Sequence, residues 1–292
     1  KYIVESKGEI IVDAEASQVT KGFLYDRPFR KKNTIYKEPF INQISDYNQL
    51  LLQCLSHENF ASREPIFEKY EIPVTLFLNT ENVGGQNYMN WTQLKSVLSR
   101  GVDIQNHTHS HSSLSSLSEI EIVNEIEKSQ DLIFENLGIT PNLFAYPFGE
   151  NSTIAQKVVS QYFDAAFGQH SGAFSINQKY FIPRFPLNEN YGSINRIKDA
   201  SSVLPFNNVL IEPSNPYQSE PISRYALDFN EDSSNINCFI SDFQGSFNPT
   251  ITNLNNKLLV ELNRLPVKGR LRFNCTKVNN GIFWFGYQYL VN

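Results

Sequence analysis

Between about Leu50 and Phe206 the chain alternates short apolar runs with amphipathic helical patterns. Pro73-Val74-Thr75-Leu76-Phe77-Leu78 has the continuous apolar texture of a buried strand, and Val102–Gln105, Leu143–Tyr146 and Ala165–Phe167 read the same way. Trp91 to Arg100 has helical spacing and stops at Gly101. Ser118-Glu119-Ile120-Glu121 is a capping box, in which the Ser hydroxyl serves the Glu121 amide and the Glu reaches back. The helix it opens carries Ile122, Val123, Ile126, Ile133 and Leu137 on one side and ends at Gly138. A further helix is predicted from about Ser152 to Tyr162. Strands alternating with helices imply an α/β fold of parallel strands and crossover helices. Such sheets carry their sites at the C-terminal ends of the strands.

The texture changes after Phe206. The stretch 212–221 is rich in Pro and Ser and reads as a linker. Beyond it Tyr225–Phe229, Cys238–Phe243, Leu258–Leu262, Gly269–Cys275 and Ile282–Leu290 read as short strands between Asn- and Gly-rich turns. That predicts a small all-β, sandwich-like C-terminal domain over 222–292, after an α/β domain over 46–211. Residues 1–45 form an N-terminal extension with one strand-like run, Glu9-Ile10-Ile11-Val12.

Composition narrows the function. Hydrophobic residues at 40% and charged residues at 19% of 292 are enough for a packed core, so disorder is excluded. The net charge of -5 argues against nucleic acid, whose phosphates need clustered Lys and Arg. The one basic run, Arg27 to Lys32, reads as a solvated loop. No apolar run approaches the roughly 20 residues of a transmembrane helix. The chain begins at Lys1, so an export signal is not visible, and a secreted, periplasmic or cell-surface location is left open. Three cysteines do not make a disulfide scaffold, although Cys238 and Cys275 lie in β-like segments and could bridge.

The candidate chemistry centres on histidine. Three of the five His fall within Asn106-His107-Thr108-His109-Ser110-His111, where a strand gives way to a Ser-rich loop. Two imidazoles four residues apart across such a turn can meet one metal ion; the alternative is a polar loop that is merely His-rich.

This segment resembles the metal-binding motif of the polysaccharide deacetylases, the NodB-homology domain of carbohydrate esterase family 4. Ile72 to Leu78 resembles the strand before it, and Leu143-Phe144-Ala145-Tyr146-Pro147-Phe148-Gly149 the groove wall of the poly-N-acetylglucosamine-type members. Phe167–Gly172, Pro183–Pro186, Gly269–Thr276 and Trp284–Gly286 are similar to further segments of that group. The resemblance implies a NodB-type distorted (β/α) barrel and a metal-dependent de-N-acetylase of N-acetylglucosamine-type polymers. It also implies a divalent metal, usually zinc, held by two His and an Asp, with a second Asp as general base. By that resemblance His107 and His111 are metal ligands, His170 the general acid, and Arg184 the residue orienting the base. Tyr146 and Phe148 would line the substrate site, with the backbone N–H near Phe148 helping to hold the oxyanion.

One departure is larger than these matches. Counting back without gaps from Pro65 and Pro73, the family's adjacent Asp pair falls on Gln53 and Cys54. Gln cannot take a proton from water, so the base position is substituted. A Cys54 thiolate can ligate zinc beside His107 and His111, or the side chain can be an apolar packing residue. Glu58, His57, and Asp13 or Glu15 from the N-terminal segment are the candidate replacements for the base. The competing reading is a catalytically inactive homologue that binds carbohydrate or serves a structural role.

Overall fold

The protein is described by a computed structural model covering residues 2–4, 10–13, 18–19, 74–86, 88–186 and 193–292. Gln53, Cys54, His57, Glu58 and Glu15 lie outside the described residues. In chain order the strands and helices are β1 (Tyr2–Val4), β2 (Ile10–Asp13), β3 (Gln18–Val19), β4 (Val74–Leu78), α1 (Trp91–Ser99), β5 (Asp103–Asn106), α2 (Glu119–Leu137), β6 (Leu143–Ala145), α3 (Thr153–Tyr162), β7 (Ala165–Phe167), β8 (Phe185–Pro186) and α4 (Ile194–Ser202). Then come β9 (Leu210–Glu212), β10 (Tyr217–Gln218), β11 (Arg224–Asp228), β12 (Asn237–Asp242), β13 (Gly245–Ser246), β14 (Thr250–Leu254), β15 (Lys257–Glu261), β16 (Gly269–Val278) and β17 (Ile282–Val291).

The chain divides into two compact units, of which the first holds residues 1–112, 123–145 and 184–202. Its sheet runs β1-β2-β4-β5-β6, antiparallel at β1/β2 and parallel from β2 onward. Every residue of β4 is buried, because a strand inside a parallel sheet is covered on both faces. That is why its sequence is an apolar run instead of an alternation. The register pairs Leu78 with Asn106 and Asn106 with Phe144, so three strands end level. The chain leaves β5 directly into His107. The expected distorted barrel is not seen: among the described residues the sheet is open, in a mixed α/β unit.

The helices follow their local signals. α1 is capped by Asn90, whose side chain accepts from Gln93 N–H while Gln93 reaches back to the Asn90 amide. At the start of α2, Glu121 Oε2 accepts from the Ser118 N–H at 2.8 Å and from its hydroxyl at 2.6 Å. Ile122, Ile126 and Ile133 are fully buried, and Gly138 closes the helix at φ +68°.

The second unit holds residues 113–122, 146–183 and 203–292. All strands from β9 onward belong to it, in two sheets ordered β10-β17-β16-β12-β13 and β14-β15-β11-β9. Tyr225 of β11 joins them, its ring 4.9 Å from Phe273 of β16 and 5.2 Å from Tyr289 of β17. Cys238 and Cys275 are register partners on β12 and β16 and form a disulfide, with Cα atoms 4.0 Å apart. The compact unit that holds these strands also includes 113–122 and 146–183. The Pro- and Ser-rich stretch is ordered within it. Tyr289, Tyr287 and Tyr225 hydroxyls donate to the carbonyls of Pro213, Ser214 and Ile222, and Tyr217–Gln218 pairs with Leu290–Val291.

Candidate functional site

In the first unit, the segment after β5 folds back on itself through two left-handed residues. Thr108 has φ +68° and His111 φ +61°, positions that non-glycine residues seldom occupy and that cost about 1–3 kcal/mol each. Side chains hold them. Asn106 Oδ1 accepts from the Thr108 N–H at 2.8 Å, and Thr108 Oγ1 accepts from the His111 N–H at 3.0 Å. The fold-back brings His111 Nε2 to 3.1 Å from His107 Nε2.

His107 is buried, and its Nδ1 lies 2.6 Å from the Ala145 carbonyl at the end of β6. A carbonyl only accepts, so Nδ1 carries the proton and Nε2 is left with a lone pair toward His111. Two imidazole nitrogens facing one point, one in a fixed tautomer, are a donor set that fits a divalent cation. Among the described residues no third His, Cys, Asp or Glu joins them.

The strands and helix around this loop supply residues that spacing alone does not reveal. Glu125 of α2 accepts from His109 N–H (3.1 Å), Ser110 N–H (2.8 Å) and Ser110 Oγ–H (2.8 Å). Thr80 Oγ1 meets His109 Nδ1 at 2.9 Å, and the Glu81 N–H bonds the His109 carbonyl at 3.0 Å. His109 therefore serves the loop's anchorage and not the His107/His111 pair. The signal for Glu125 lies in its place one turn into the helix that the capping box opens. If the His107/His111 pair holds zinc, Glu125→Ala should weaken that binding about 10–100-fold through the loop it braces, the range seen when groups behind a ligand are lost. Competition with a chromophoric chelator measures it, and unchanged affinity would mean the loop holds its shape without Glu125.

Asp13, a candidate replacement base, pairs in register with Thr75, which pairs with Asp103. That level lies three residues before Asn106, about 10 Å along the strands from where His107 emerges. Asp103 itself has its carboxyl pushed up to about 6 by burial, against hydrogen bonds from Gln105 and Thr75 that lower it. Arg184, also in the first unit, is fully buried, and burial brings its guanidinium down to about 9, so it stays charged at neutral pH.

Tyr146, Phe148 and His170 belong to the second unit. Tyr146 is fully buried, its N–H bonded to the Phe167 carbonyl and its ring edge-on to Phe181 at 6.3 Å. Phe148 is 40% exposed and adopts φ +59° in a short 3-10 turn. Next to it Gly149 is required: a Cβ there would fall 2.4 Å from the Gln169 backbone nitrogen. His170 is 2% exposed and packs on Phe181 at 4.4 Å. Among the described residues neither ring nitrogen has a hydrogen-bond partner.

Burial, helped by the charge of Arg272, brings the His170 imidazole down to about 3, so it is neutral at physiological pH. This has a consequence for acid stability. Between about pH 3 and 6.5 the unfolded chain binds a proton here that the folded chain does not, so stability falls as pH drops through that window. His170→Phe removes this contribution, and its stability relative to the parent should rise by on the order of 2 kcal/mol between pH 8 and pH 5. Denaturant titrations at both pH values check it; an equal gap at the two would mean His170 is protonated in the folded state.

Part of the chain is similar to known proteins. Residues 49–163 match the polysaccharide deacetylase family model. Poly-beta-1,6-N-acetyl-D-glucosamine N-deacetylases of Staphylococcus aureus strains are 26% identical over 188 residues, covering 58% of this chain and 60% of theirs. The match thus spans about three-fifths of those relatives' length. Among solved structures, a Streptococcus pyogenes deacetylase in complex with acetate aligns at TM-score 0.49 and 16% identity, over 69% of this chain and 98% of that one. IcaB from Ammonifex degensii aligns at TM-score 0.47 and 15% identity, over 68% and 100%.

Proposed function

We propose, from the premise that residues 49–163 belong to the polysaccharide deacetylase family, that the protein binds N-acetylglucosamine-type polymers and removes their N-acetyl groups slowly with a divalent metal, zinc by preference. The observation that carries this reading is the convergence of His107 and His111 Nε2, 3.1 Å apart, at the C-terminal end of a parallel strand. On this reading His107 and His111 hold the ion, and Cys54 supplies a third donor. When bound, the ion polarises water and the N-acetyl carbonyl.

The chain's own residues do the rest. The Ala145 carbonyl keeps His107 in the tautomer whose Nε2 can ligate. Gln53 in the base position orients water by hydrogen bonding but cannot accept its proton, which limits the rate. Phe148, held in its left-handed turn, presents its backbone N–H to the developing oxyanion. His170 is neutral in the free protein, so on this reading it takes the proton that the attacking water loses and passes it to the leaving amine. Arg184 keeps its charge in a buried setting, where it polarises the base position. In domain terms residues 46–211 are the NodB-type deacetylase-like part and 222–292 a sandwich-like C-terminal module.

A second reading, a non-catalytic homologue that only binds the polymer, is favoured by the absence of a carboxylate at Gln53 and Cys54. Zinc-loaded protein incubated with β-1,6-linked and chitin-type N-acetylglucosamine oligomers separates the two. Slow release of acetate that stops with a chelator supports the enzyme, and binding without any release supports the second reading. Neither binding nor release would remove both.

A further inference from the structure

The outer face of the β12-β16-β17 sheet in the second unit is unusual for its aromatic residues. Register partners share a face, so Phe239, Asn274 and Gly286 form one row across the three strands, and Asn237, Thr276 and Trp284 the next. In the row between them, Cys275 and Phe285 are buried and Cys238 is half-buried. Phe239 is 68% exposed. Trp284 is half-buried, and its indole N–H donates to Asn274 Oδ1 at 3.1 Å, which fixes the ring plane. Phe243, at 92% exposure, stands at the tip of the β12/β13 hairpin.

Side chains brace that tip. The neighbouring Asp242 is buried and gripped by both guanidinium nitrogens of Arg264 at 2.6 Å, and the Arg264 group lies 3.9 Å over the Phe247 ring. Exposed hydrophobic side chains scattered singly need no explanation, but two rings on one held hairpin beside an oriented indole form a surface.

At β17 the same sheet face packs against the segments that carry the residues proposed to act on the sugar. Gln288 on β17 donates to the Gly149 carbonyl, next to Phe148. At Gly286 the chain 171–172 approaches so closely that a Cβ would collide with the Ser171 carbonyl oxygen, one residue from His170. From β17 to Phe239 on β12 is two strand spacings, about 10 Å.

We infer that this face, centred on Phe239 with Phe243, Asn274 and Trp284, is a subsite for the same glycan, binding sugar rings beyond the one being modified. The inference rests on the polysaccharide reading of the preceding subsection. Its chemistry suits an N-acetylated glycan, with Arg272 exposed on the adjacent row of the same face. Flat rings pack against the C–H faces of pyranoses, and the intervening Asn side chains offer both donor and acceptor to hydroxyl and amide groups. A purely apolar partner would leave those amides unpaired.

The test titrates the full zinc-loaded chain with N-acetylglucosamine oligomers of two, four and six sugars, by calorimetry and by tryptophan fluorescence. The parent should bind longer oligomers more tightly. In the Phe239→Ala/Phe243→Ala protein the hexamer-to-dimer affinity ratio should fall about tenfold, equivalent to ~1.4 kcal/mol. Both side chains are exposed, so the variant keeps its core, and its far-ultraviolet spectrum and melting midpoint verify that. An unchanged ratio overturns the subsite while parental binding and acetate release leave the deacetylase reading standing. A parent that binds no oligomer overturns both. Self-association of the parent, lost in the double variant with the ratio unmoved, assigns the face to a second copy of the chain and also overturns the inference.

Discussion

The His111→Ala protein is expected to bind zinc more than about 100-fold more weakly than the parent and to lose whatever deacetylation the parent has. Loss of a residue that merely orients a ligand costs about 10–100-fold in affinity, and His111 is proposed as a ligand itself. The substitution also removes one half of the converging pair, leaving the His107 Nε2 lone pair with no imidazole opposite it. Isothermal titration with zinc and metal content after gel filtration measure the effect. His109→Ala is the contrast, because His109 bonds Thr80 and the loop backbone, not the His107/His111 pair. It should fall in the range expected for Glu125. Equal effects of the His109 and His111 changes would mean that the loop's shape, and not the pair, controls the metal.

The second large effect is a gain. If Gln53 stands at the base position, introducing the carboxylate with Gln53→Asp, together with Cys54→Asp for the third ligand, should raise acetate release by about 10²–10⁴-fold, the usual worth of a positioned general base. A pH–rate profile separates this from a general improvement in metal loading. The double variant should gain an acidic limb with a carboxylate-like midpoint, while the parent should not. Rapid turnover by the unmodified chain would contradict the degenerate site. Single replacement of Asp13, Glu15 and Glu58 by Ala would then find the carboxylate, with Asp13 the weakest candidate from its register level.

Much of the α/β part was legible because each element carries two agreeing signals. α2 has the Ser118/Glu121 box at its start, a buried isoleucine side and Gly138 at its end, and the structure realises all three. β4 and β7 were legible because a fully buried strand leaves an unbroken apolar run. Other elements were not. Every residue of β14 is exposed, so Thr250–Leu254 has no inward face to pattern the sequence. β10 and β13 are two-residue strands made by pairing with β17 and β12, and nothing local encodes them. α4 buries only Ile197 and Ala200, too little for an apolar stripe to emerge.

The site divides in the same way. The spacing of His107 and His111 is visible in the chain, because four residues across one turn suffice to bring them together. Glu125 and Thr80 lie 16 and 29 residues from His109, and they reach it only through the packing of α2 and β4 around the loop. The state of His170 was likewise invisible. Its Gln-His-Ser-Gly surroundings suggest a proton carrier, whereas Phe181 and the burial around it make a neutral ring.

The three tyrosines that reach into the Pro- and Ser-rich stretch change how the chain would be cut. A protease needs several residues of backbone pulled free into its cleft, and composition alone marks 212–221 as the place to begin. Here the carbonyls of Pro213 and Ser214 and the side-chain carbonyl of Gln218 accept from tyrosine hydroxyls, and Tyr217–Gln218 is paired in a sheet. Local opening must break these together. Limited digestion followed by mass spectrometry should therefore spare this segment in the parent, and nicking within it should appear in the Tyr287→Phe/Tyr289→Phe protein. The hydroxyls that anchor the stretch would then be what keeps the last seventy or so residues joined to the rest under digestion.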